Sequence, residues 1–270
     1  MTGTALSEAE RSRRRGRGLA WLLGAPVLAF LVAPVIAVVP MSFSASQILE
    51  LVPTTFSLVQ YERFFSSPEW MEALYNSLVV ATGTMVVATV LGVLAAIALW
   101  RLPQRYREVI EAVLILPRIV PSIVFAIAVY SVFLGVGAVG SIGGLILAHS
   151  VLALPFVVVF VGSALRSFDR VQDEASRSLG ADHFTTFRRI ILPQVRLSIL
   201  GSALFAFSIS FDEVVVTLFI SGIGSKTLPV KIWDAIQHEI VPILPAISAL
   251  VVLLTIAVLV PLFLLARSRR

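Results

Sequence analysis

Asp212 and Glu213 stand out chemically, because they are the only acids within the long hydrophobic segments of this chain. Carboxylates at such a depth usually face a bundle interior or a wet cavity, where they could replace the lost hydration of a cationic solute. Adjacent helix positions point about 100° apart, so at most one of the two would face such a solute squarely. The alternative is structural, since either acid could cap a helix, reach the lipid headgroups or pair with another helix.

The same segments lack the residue combinations that catalysis would need. His149 and Ser150 are neighbours but project to different faces of a helix, and no second intramembrane aspartate is present. The chain has no cysteine, which excludes a thiolate metal site, and no metal site is predicted. The phosphate-binding pattern G-x-x-x-x-G-K-[ST] is absent, so any ATP would be bound by another chain. An intramembrane enzyme is therefore disfavoured.

The composition places these residues in a lipid bilayer. Of the 270 residues, 58% are hydrophobic and only 14% are charged, and the mean hydropathy is +0.96. A soluble domain would be roughly half apolar and about a quarter charged. The formal charge of +5 does not indicate nucleic acid, because the basic residues lie at the ends of apolar segments, where they carry topology information.

The hydrophobic segments predict an all-α membrane protein with six transmembrane helices. A helix needs roughly 20 apolar residues to cross about 30 Å of hydrocarbon. Segments that meet this length lie at 19–40, 76–100, 112–134, 141–165, 197–220 and 244–266. They are apolar on all sides and lack the alternation of a β-barrel strand.

The arginines predict that both termini lie in the cytoplasm. With the N-terminus inside, most of the 21 basic residues fall in the tail 1–18, near 101–107, in the loop 166–196 and in the tail 267–270. The first segment could instead be a signal peptide, because it follows RSRRRGRG and precedes small residues. Its core of about 20 apolar residues exceeds the 7 to 15 of a cleaved signal, so a permanent first helix is favoured.

Small residues recur at four-residue spacing in two of the segments. Ala88, Gly92 and Ala96 lie in the second, and Gly140, Gly144 and Ala148 lie in the fourth. Such residues let helix backbones approach closely, so these two faces are expected to pack inside the bundle. The alternative is that glycine and alanine are simply common in membrane helices.

The polar loop between the fourth and fifth segments predicts a hairpin of two short helices. Residues 168–179 form an amphipathic pattern, and Gly180 follows where a helix end favours positive φ. Asp182 can cap a second helix over 184–190. Pro193 then ends that helix and can occupy the first turn of the fifth span. An idle connection would be shorter, so a function is expected here.

The hairpin resembles the EAA loop of the membrane subunits of bacterial binding-protein-dependent ABC importers. That pattern, E-A-A-x3-G-x9-I-x-L-P, is matched by Glu174, Ala175, Gly180, Ile190, Leu192 and Pro193, with Ser176 in place of the second alanine. The resemblance implies a type I ABC importer-like transmembrane domain whose hairpin docks on an ATP-hydrolysing subunit. In that role Ala175 and Ser176 would allow close approach, and Glu174 would pair with a basic group of the ATPase.

Three further stretches resemble the spermidine/putrescine branch of the same permeases. They are NSLVVA at 76–81, SFDEVVVTLFISG at 210–222 and TLPVKIW at 227–233, although related branches share much of this pattern. The resemblance implies a bacterial inner-membrane permease without enzymatic activity and without nucleic acid. Its partners would be membrane lipid, two ATP-binding subunits that hold ATP and Mg²⁺, a second homologous permease and an extracytoplasmic binding protein. An ion-coupled secondary carrier is the alternative, disfavoured because no inverted repeat is evident.

Two other polar residues near the spans allow more than one interpretation. Arg118 lies between Pro117 and Pro121, where it could satisfy backbone carbonyls freed by the prolines or simply flank the third span. His149, midway in the fourth span, favours a hydrogen bond between helices over a proton relay. His183 and His238 are interpreted as surface residues.

Overall fold

The computed structural model describes the backbone of residues 3–238 and 241–267, and the side chains of these residues apart from 3–20, 170, 259 and 261–267. No β-strand occurs within these ranges, and the regular secondary structure there is helical, as predicted. The α-helices are α1 (Gly3–Met41), α2 (Val59–Ser66), α3 (Pro68–Arg101), α4 (Gln104–Ile119), α5 (Ser122–Val136), α6 (Ile142–Arg166), α7 (Arg170–Ser178), α8 (His183–Thr186), α9 (Leu192–Phe211), α10 (Val215–Ile220), α11 (Leu228–His238) and α12 (Leu244–Arg267). A π-helix at Phe187–Ile191 and a 3₁₀ turn at Ile223–Ser225 complete the order.

Four described helices are long and apolar enough to cross a membrane, namely Trp21–Met41, Pro68–Arg101, Ile142–Arg166 and His183–Phe211. The bent pair α4 and α5 makes a fifth if it is counted as one span. The sixth predicted segment falls on α12, where the apolar stretch with described side chains, Leu244–Val258, is shorter than a spanning helix. The membrane character is confirmed, whereas the count of six stays a prediction.

The third predicted span is broken, so a straight helix over 112–134 is wrong. α4 ends at Ile119, α5 begins at Ser122, and the two helices meet at 98°. Val120 takes an extended conformation with ψ 135°, which is the conformation favoured before a proline, and Pro121 has no N–H to continue the helix. The chain therefore changes direction at Val120 and Pro121.

The fifth predicted span is also interrupted, in this case without a proline. α9 ends at Phe211 and α10 begins at Val215, so the acids at 212 and 213 lie in a break rather than within one continuous helix. The expectation that they sit on an unbroken helix is therefore wrong. Backbone groups at both helix ends therefore need partners outside the regular helix pattern there.

The chain divides into two compact units, Met1–Phe64 with Ile240–Leu253, and Phe65–Glu239 with Leu254–Arg270. In the first unit, the segment after α1 folds back through a single antiparallel bridge between Ser44 and Phe56. Tyr61 of α2 donates a hydrogen bond to Ser42 Oγ at 2.7 Å, and the ring of Tyr61 contacts Phe43. Gln60 is fully buried and donates to the Ser46 carbonyl at 3.1 Å.

The second unit is built on α3, α6 and α9, which share a buried core of small and branched side chains. Ala88, Gly92 and Ala96 are all buried on α3, so the predicted packing face is confirmed. Of the second predicted face, Gly144 and Ala148 are buried on α6, whereas Gly140 lies in the preceding turn at φ +80°. Close helix contact thus follows the small residues, except where a turn needs glycine for its backbone conformation.

Gly92 is the tightest point between α3 and α6, and we expect Gly92→Leu to destabilise the protein strongly. A Cβ atom at position 92 would lie 2.6 Å from Cβ and Cγ1 of Val157, which is too close for any side chain. Overpacking of this kind costs about 1–3 kcal/mol. Thermal unfolding in detergent should show a lower Tm. The matched control is Gly143→Leu, because nothing lies within 4 Å of a Cβ there, and an equal loss in both variants would contradict the packing argument.

Several predictions concern groups outside the described residues. These are residues 268–270 of the C-terminal tail and the side chains of Arg11, Arg13, Arg14, Arg15 and Arg17 in the N-terminal tail. The backbone of residues 3–18, predicted as a tail, is part of α1. The assignment of both tails to the cytoplasm stays a prediction.

Candidate functional site

The hairpin between α6 and α9 is formed by α7, α8 and the π-helix, and we call residues 169–191 the coupling hairpin. Each of its α-helices is capped by an aspartate, as local chemistry requires. The Asp169 carboxylate accepts from the Val171 N–H at 2.9 Å, and Asp182 Oδ1 accepts from the Thr185 N–H at 2.9 Å. Hydrogen bonds from the side chain and backbone of Thr185 hold the pKa of Asp182 below its usual value. The predicted cap at Asp182 is confirmed.

Gly180 makes the turn between the two helices, as predicted. Its φ of +87° lies in the left-handed region that side chains with a Cβ rarely adopt. The N–H of Gly180 donates to the Arg177 carbonyl at 2.9 Å, and the N–H of Ala181 donates to the Ser176 carbonyl at 3.1 Å. This pair of bonds is the Schellman arrangement that ends a helix on glycine.

Ser176 faces the inside of the coupling hairpin and not its outer surface. Its hydroxyl shares a 2.8 Å hydrogen bond with Thr186 and donates to the Asp173 carbonyl at 2.9 Å, and both hydroxyls are buried. A small residue at 176 therefore lets the two helices of the hairpin pack together. Ala175 beside it is exposed, so only Ala175 presents a small side chain outward.

The outer surface of the coupling hairpin is unusually apolar for a polar segment. Leu179 is 89% exposed, Phe184 is 68% exposed and Val171 is 65% exposed. Phe168, predicted on the same helix face, is instead buried and contacts Trp100 edge to face. Glu174 is exposed and forms no ion pair among the described residues. The hairpin thus offers apolar side chains and a free carboxylate to a partner.

The π-helix joins the coupling hairpin to α9. Pro193 cannot donate a hydrogen bond and crowds the carbonyl four residues before it, so the preceding turn widens, and the Leu192 N–H donates to the Phe187 carbonyl. Gln194 donates to the carbonyl of Ile190 at 3.3 Å and to the side chain of Gln172 on α7 at 2.8 Å. Ile190 and Leu192 of the motif are half-buried, and Pro193 is exposed. The sequence analysis missed the wide turn and the Gln172–Gln194 link.

Asp212 and Glu213 behave differently at the break between α9 and α10. Glu213 Oε1 accepts a 3.0 Å hydrogen bond from the Val216 N–H, so this acid caps α10, which was the structural alternative for the pair. Asp212 ends α9, and its side chain is exposed and bonds to no other described residue. Asp212 is therefore the acid of the pair whose carboxylate has no partner among the described residues.

His149 ties the two sides of the same break together, which confirms a hydrogen bond between helices. Its Nδ1 lies 2.8 Å from Ser210 Oγ on α9, and its Nε2 lies 3.1 Å from Thr217 Oγ1 on α10. Ser210 in turn donates to Thr84 Oγ1 of α3 at 3.2 Å. All four side chains are buried. A hydrolytic site would need an accessible serine and a carboxylate behind the histidine, and this buried network has neither.

Arg118 lies at the end of α4, where its guanidinium carbon is 5.0 Å from the centre of the Phe156 ring on α6. This contact does not correspond fully to either predicted role. The guanidinium forms no hydrogen bond with a freed carbonyl among the described residues, and it stacks on an aromatic ring instead. Glu111 and Arg166 form a 3.5 Å ion pair farther along the same two helices. The two contacts show that α4 runs alongside the hairpin-proximal half of α6.

Two of the sequence stretches with family-like patterns meet in space. Asn76 of α3 donates from Nδ2 to the carbonyls of Gly224 and Lys226, each at 3.1 Å. Ser77 Oγ accepts a 2.7 Å hydrogen bond from the Leu228 N–H at the start of α11. These bonds hold the chain after α10 against the start of α3, so the polar pair in NSLVVA has a structural role.

A family model for a binding-protein-dependent transport system inner membrane component matches residues 88–270. The chain is 33% identical over 234 residues to the spermidine/putrescine transport system permease protein PotC of Haemophilus influenzae, which covers 87% of this chain and 91% of that protein. It is 30% identical to PotC of Escherichia coli strain K12, over 90% and 92% of the two chains. It is also 30% identical to the putrescine permease PotI of that strain, over 82% and 81%.

Solved structures with a similar fold share less sequence. A bacterial ABC transporter involved in alginate import superposes with a TM-score of 0.67 at 15% identity, covering 96% of this chain and 97% of that one. The MetNI methionine ABC transporter gives a TM-score of 0.62 at 19% identity, covering 75% and 98%. At these identities the likeness concerns the fold alone.

Proposed function

Because the chain belongs to the family of binding-protein-dependent transport system inner membrane components, we propose that it carries polyamines across the inner membrane. It is the permease of an ABC importer and no enzyme, since the ATPase of such a system is a separate subunit. The observation that carries the polyamine assignment is the 33% identity to a spermidine/putrescine permease over most of both chains. The exposed carboxylate of Asp212 suits a solute that carries several positive charges.

The proposal includes the assembly that a permease of this kind requires. A second homologous permease would enclose the other half of the path, and an extracytoplasmic binding protein would deliver the solute. Two ATP-binding subunits would hold ATP and Mg²⁺. The bundle would comprise six helices over 19–266, with the tails 1–18 and 267–270 in the cytoplasm. This orientation puts the coupling hairpin on the same side as the ATPase.

Energy would reach the bundle through the coupling hairpin, with Glu174, Ala175 and Gly180 at its outer end and Ile190, Leu192 and Pro193 where it joins α9. Leu179 and Phe184 expose apolar area that a partner would cover, which supports a docking role. The internal bonds of Ser176 with Thr186 and of Gln172 with Gln194 support a hairpin that moves as one piece. A displacement of the hairpin would therefore move the start of α9.

A cysteine crosslink tests the docking role directly, because the natural chain contains no cysteine. Leu179→Cys should be crosslinked to a single cysteine on the ATPase subunit in membranes that contain the whole importer. The reason is that residue 179 is 89% exposed at the outer end of the coupling hairpin. The measurement is a shifted band on a denaturing gel that contains both subunits.

The matched control is Leu94→Cys, which is 60% exposed but lies on the spanning helix α3. It should give no crosslink to the ATPase. An absence of crosslinks from Leu179→Cys across several reagent lengths would refute the docking role. ATP-independent uptake by the purified permease would favour an ion-coupled carrier instead.

A further inference from the structure

A groove between α6 and α9 is lined by the hairpin-proximal end of α6 and the middle of α9, and we call it the serine groove. It has a volume of about 480 Å³ and is open to the outside of the chain. Its main lining residues are four serines and two phenylalanines, namely Ser163, Ser167, Ser198, Ser202, Phe160 and Phe205. Among the residues whose side chains the structure describes, no charged residue lines it.

The hydroxyls of the serine groove are only partly satisfied. Ser167 and Ser202 donate to carbonyls of their own helices, at 3.4 Å and 2.9 Å. Ser163 and Ser198 have no side-chain hydrogen bond to any described residue. A free hydroxyl in a bilayer is unfavourable unless a polar group meets it, so the groove is poorly suited to lipid tails.

A row of aromatic rings closes one end of the serine groove. The ring of Phe205 contacts Phe156 and Phe160 edge to face, with centroids 5.2 Å and 5.4 Å apart. The guanidinium of Arg118 rests on the Phe156 face at the far end of this row. The chain thus already places one organic cation on the Phe156 face, and the neighbouring rings of Phe160 and Phe205 have the same chemistry.

We propose that the serine groove binds the ammonium groups of the transported amine, an inference that rests on the proposed function. The ring faces of Phe160 and Phe205 would attract the positive charge, and the free hydroxyls of Ser163 and Ser198 would accept its N–H bonds. Phe160 and Ser167, which both line the groove, are seven residues apart on α6, so rings and hydroxyls extend over about 10 Å. That length allows two ammonium groups of one chain-like amine to bind at once.

The serine groove has no carboxylate among its described lining residues. Such a lining is appropriate for a site that a solute occupies only briefly during transport. A solute must bind favourably enough to enter each site but weakly enough to leave it. Asp212 lies seven residues beyond Phe205, about 10 Å farther from the coupling hairpin along α9. A cationic solute would then pass from a charged site at Asp212 to neutral hydroxyls and rings, which release it more easily toward the hairpin.

A photoreactive diamine tests this site in the complete importer embedded in lipid nanodiscs. In the natural protein the probe should label peptides from α6 and α9 around Phe160 and Phe205, and excess spermidine should compete with it. Phe205→Leu should reduce this labelling about three- to tenfold, the range expected for loss of a cation–π contact. Arg118→Gln should increase it, because the tethered cation leaves Phe156.

The control is Phe207→Leu, the same change two residues away, where Phe207 stacks on Phe211 and does not line the groove. It should label like the natural protein. The proposal would be overturned if the diamine labelled regions other than α6 and α9, or if excess spermidine did not reduce its labelling. It would also be overturned if photoreactive lipids labelled the groove and the diamine did not. If the natural importer moves spermidine and yet the groove is unlabelled, only this inference fails. If it moves no cationic amine at all, the proposed function fails.

Discussion

Gly180→Val should strongly reduce ATP-driven uptake while the protein remains in the membrane at normal levels. Nothing lies within 4 Å of a Cβ at this position, so the valine side chain meets no steric obstacle from neighbours. The cost lies in the backbone, since φ of +87° is strained for a β-branched residue by about 1–3 kcal/mol. The turn would relax, the Schellman bonds would break, and the coupling hairpin would present its outer surface at a different angle. We expect uptake to fall more than tenfold.

The measurement is uptake of labelled spermidine together with ATP hydrolysis by the same reconstituted importer. Gly180→Asn is the matched control, because asparagine tolerates the left-handed conformation and should retain most of the uptake. Glu174→Arg changes the charge without altering the turn. In this variant, as in Gly180→Val, ATP hydrolysis should no longer be coupled to uptake. Normal uptake in both Gly180→Val and Glu174→Arg would rule out the coupling role.

Asp212→Asn should reduce uptake of cationic amines by more than tenfold while assembly is preserved. The substitution keeps the size and removes only the charge, and Asp212 bonds to no other described side chain, so little structural cost is expected. Loss of one charge-assisted hydrogen bond to an ammonium group corresponds to about 1.5–3 kcal/mol. That range converts to between about ten- and 150-fold in affinity.

Glu213→Gln is the appropriate comparison for Asp212→Asn. The amide oxygen of glutamine can still accept the Val216 N–H, so the cap of α10 survives and uptake should change by less than threefold. The assay is the initial rate of uptake over a range of amine concentrations, with permease levels measured by immunoblot. Equal rates for Asp212→Asn and the natural protein would make Asp212 a structural residue.

Local chemistry accounts for what the sequence predicted well. Gly180 and Asp182 determine their turn and cap through bonds to residues within four positions, so neighbours in sequence suffice to foresee them. The buried face of Ala88, Gly92 and Ala96 follows from spacing on one helix in the same way. The extent of the apolar segment likewise predicted the ends of α6 to within one residue.

Contacts distant in sequence explain what was not foreseen. His149 finds its partners 61 and 68 residues away, and no pattern in the sequence indicated that they would be Ser210 and Thr217. Ser176 bonds to Thr186 inside the hairpin. The sequence motif suggested instead that Ser176 lies on the outer surface, so this contact was not predicted. The break at 212–214 carries no proline, so hydropathy alone predicted a continuous helix there.

Because of the π-helical turn at Phe187–Ile191, the number of residues in the coupling hairpin is as important as their types. A π-helical turn is in effect an α-helix with one surplus residue, held in place here by Pro193. Removing that residue would restore regular spacing and rotate everything before it by about 100° around the axis of α9. The apolar face of Leu179 and Phe184 would then point in a different direction, although both of these side chains would be unchanged. Insertions and deletions should therefore be less tolerated in this segment than substitutions are.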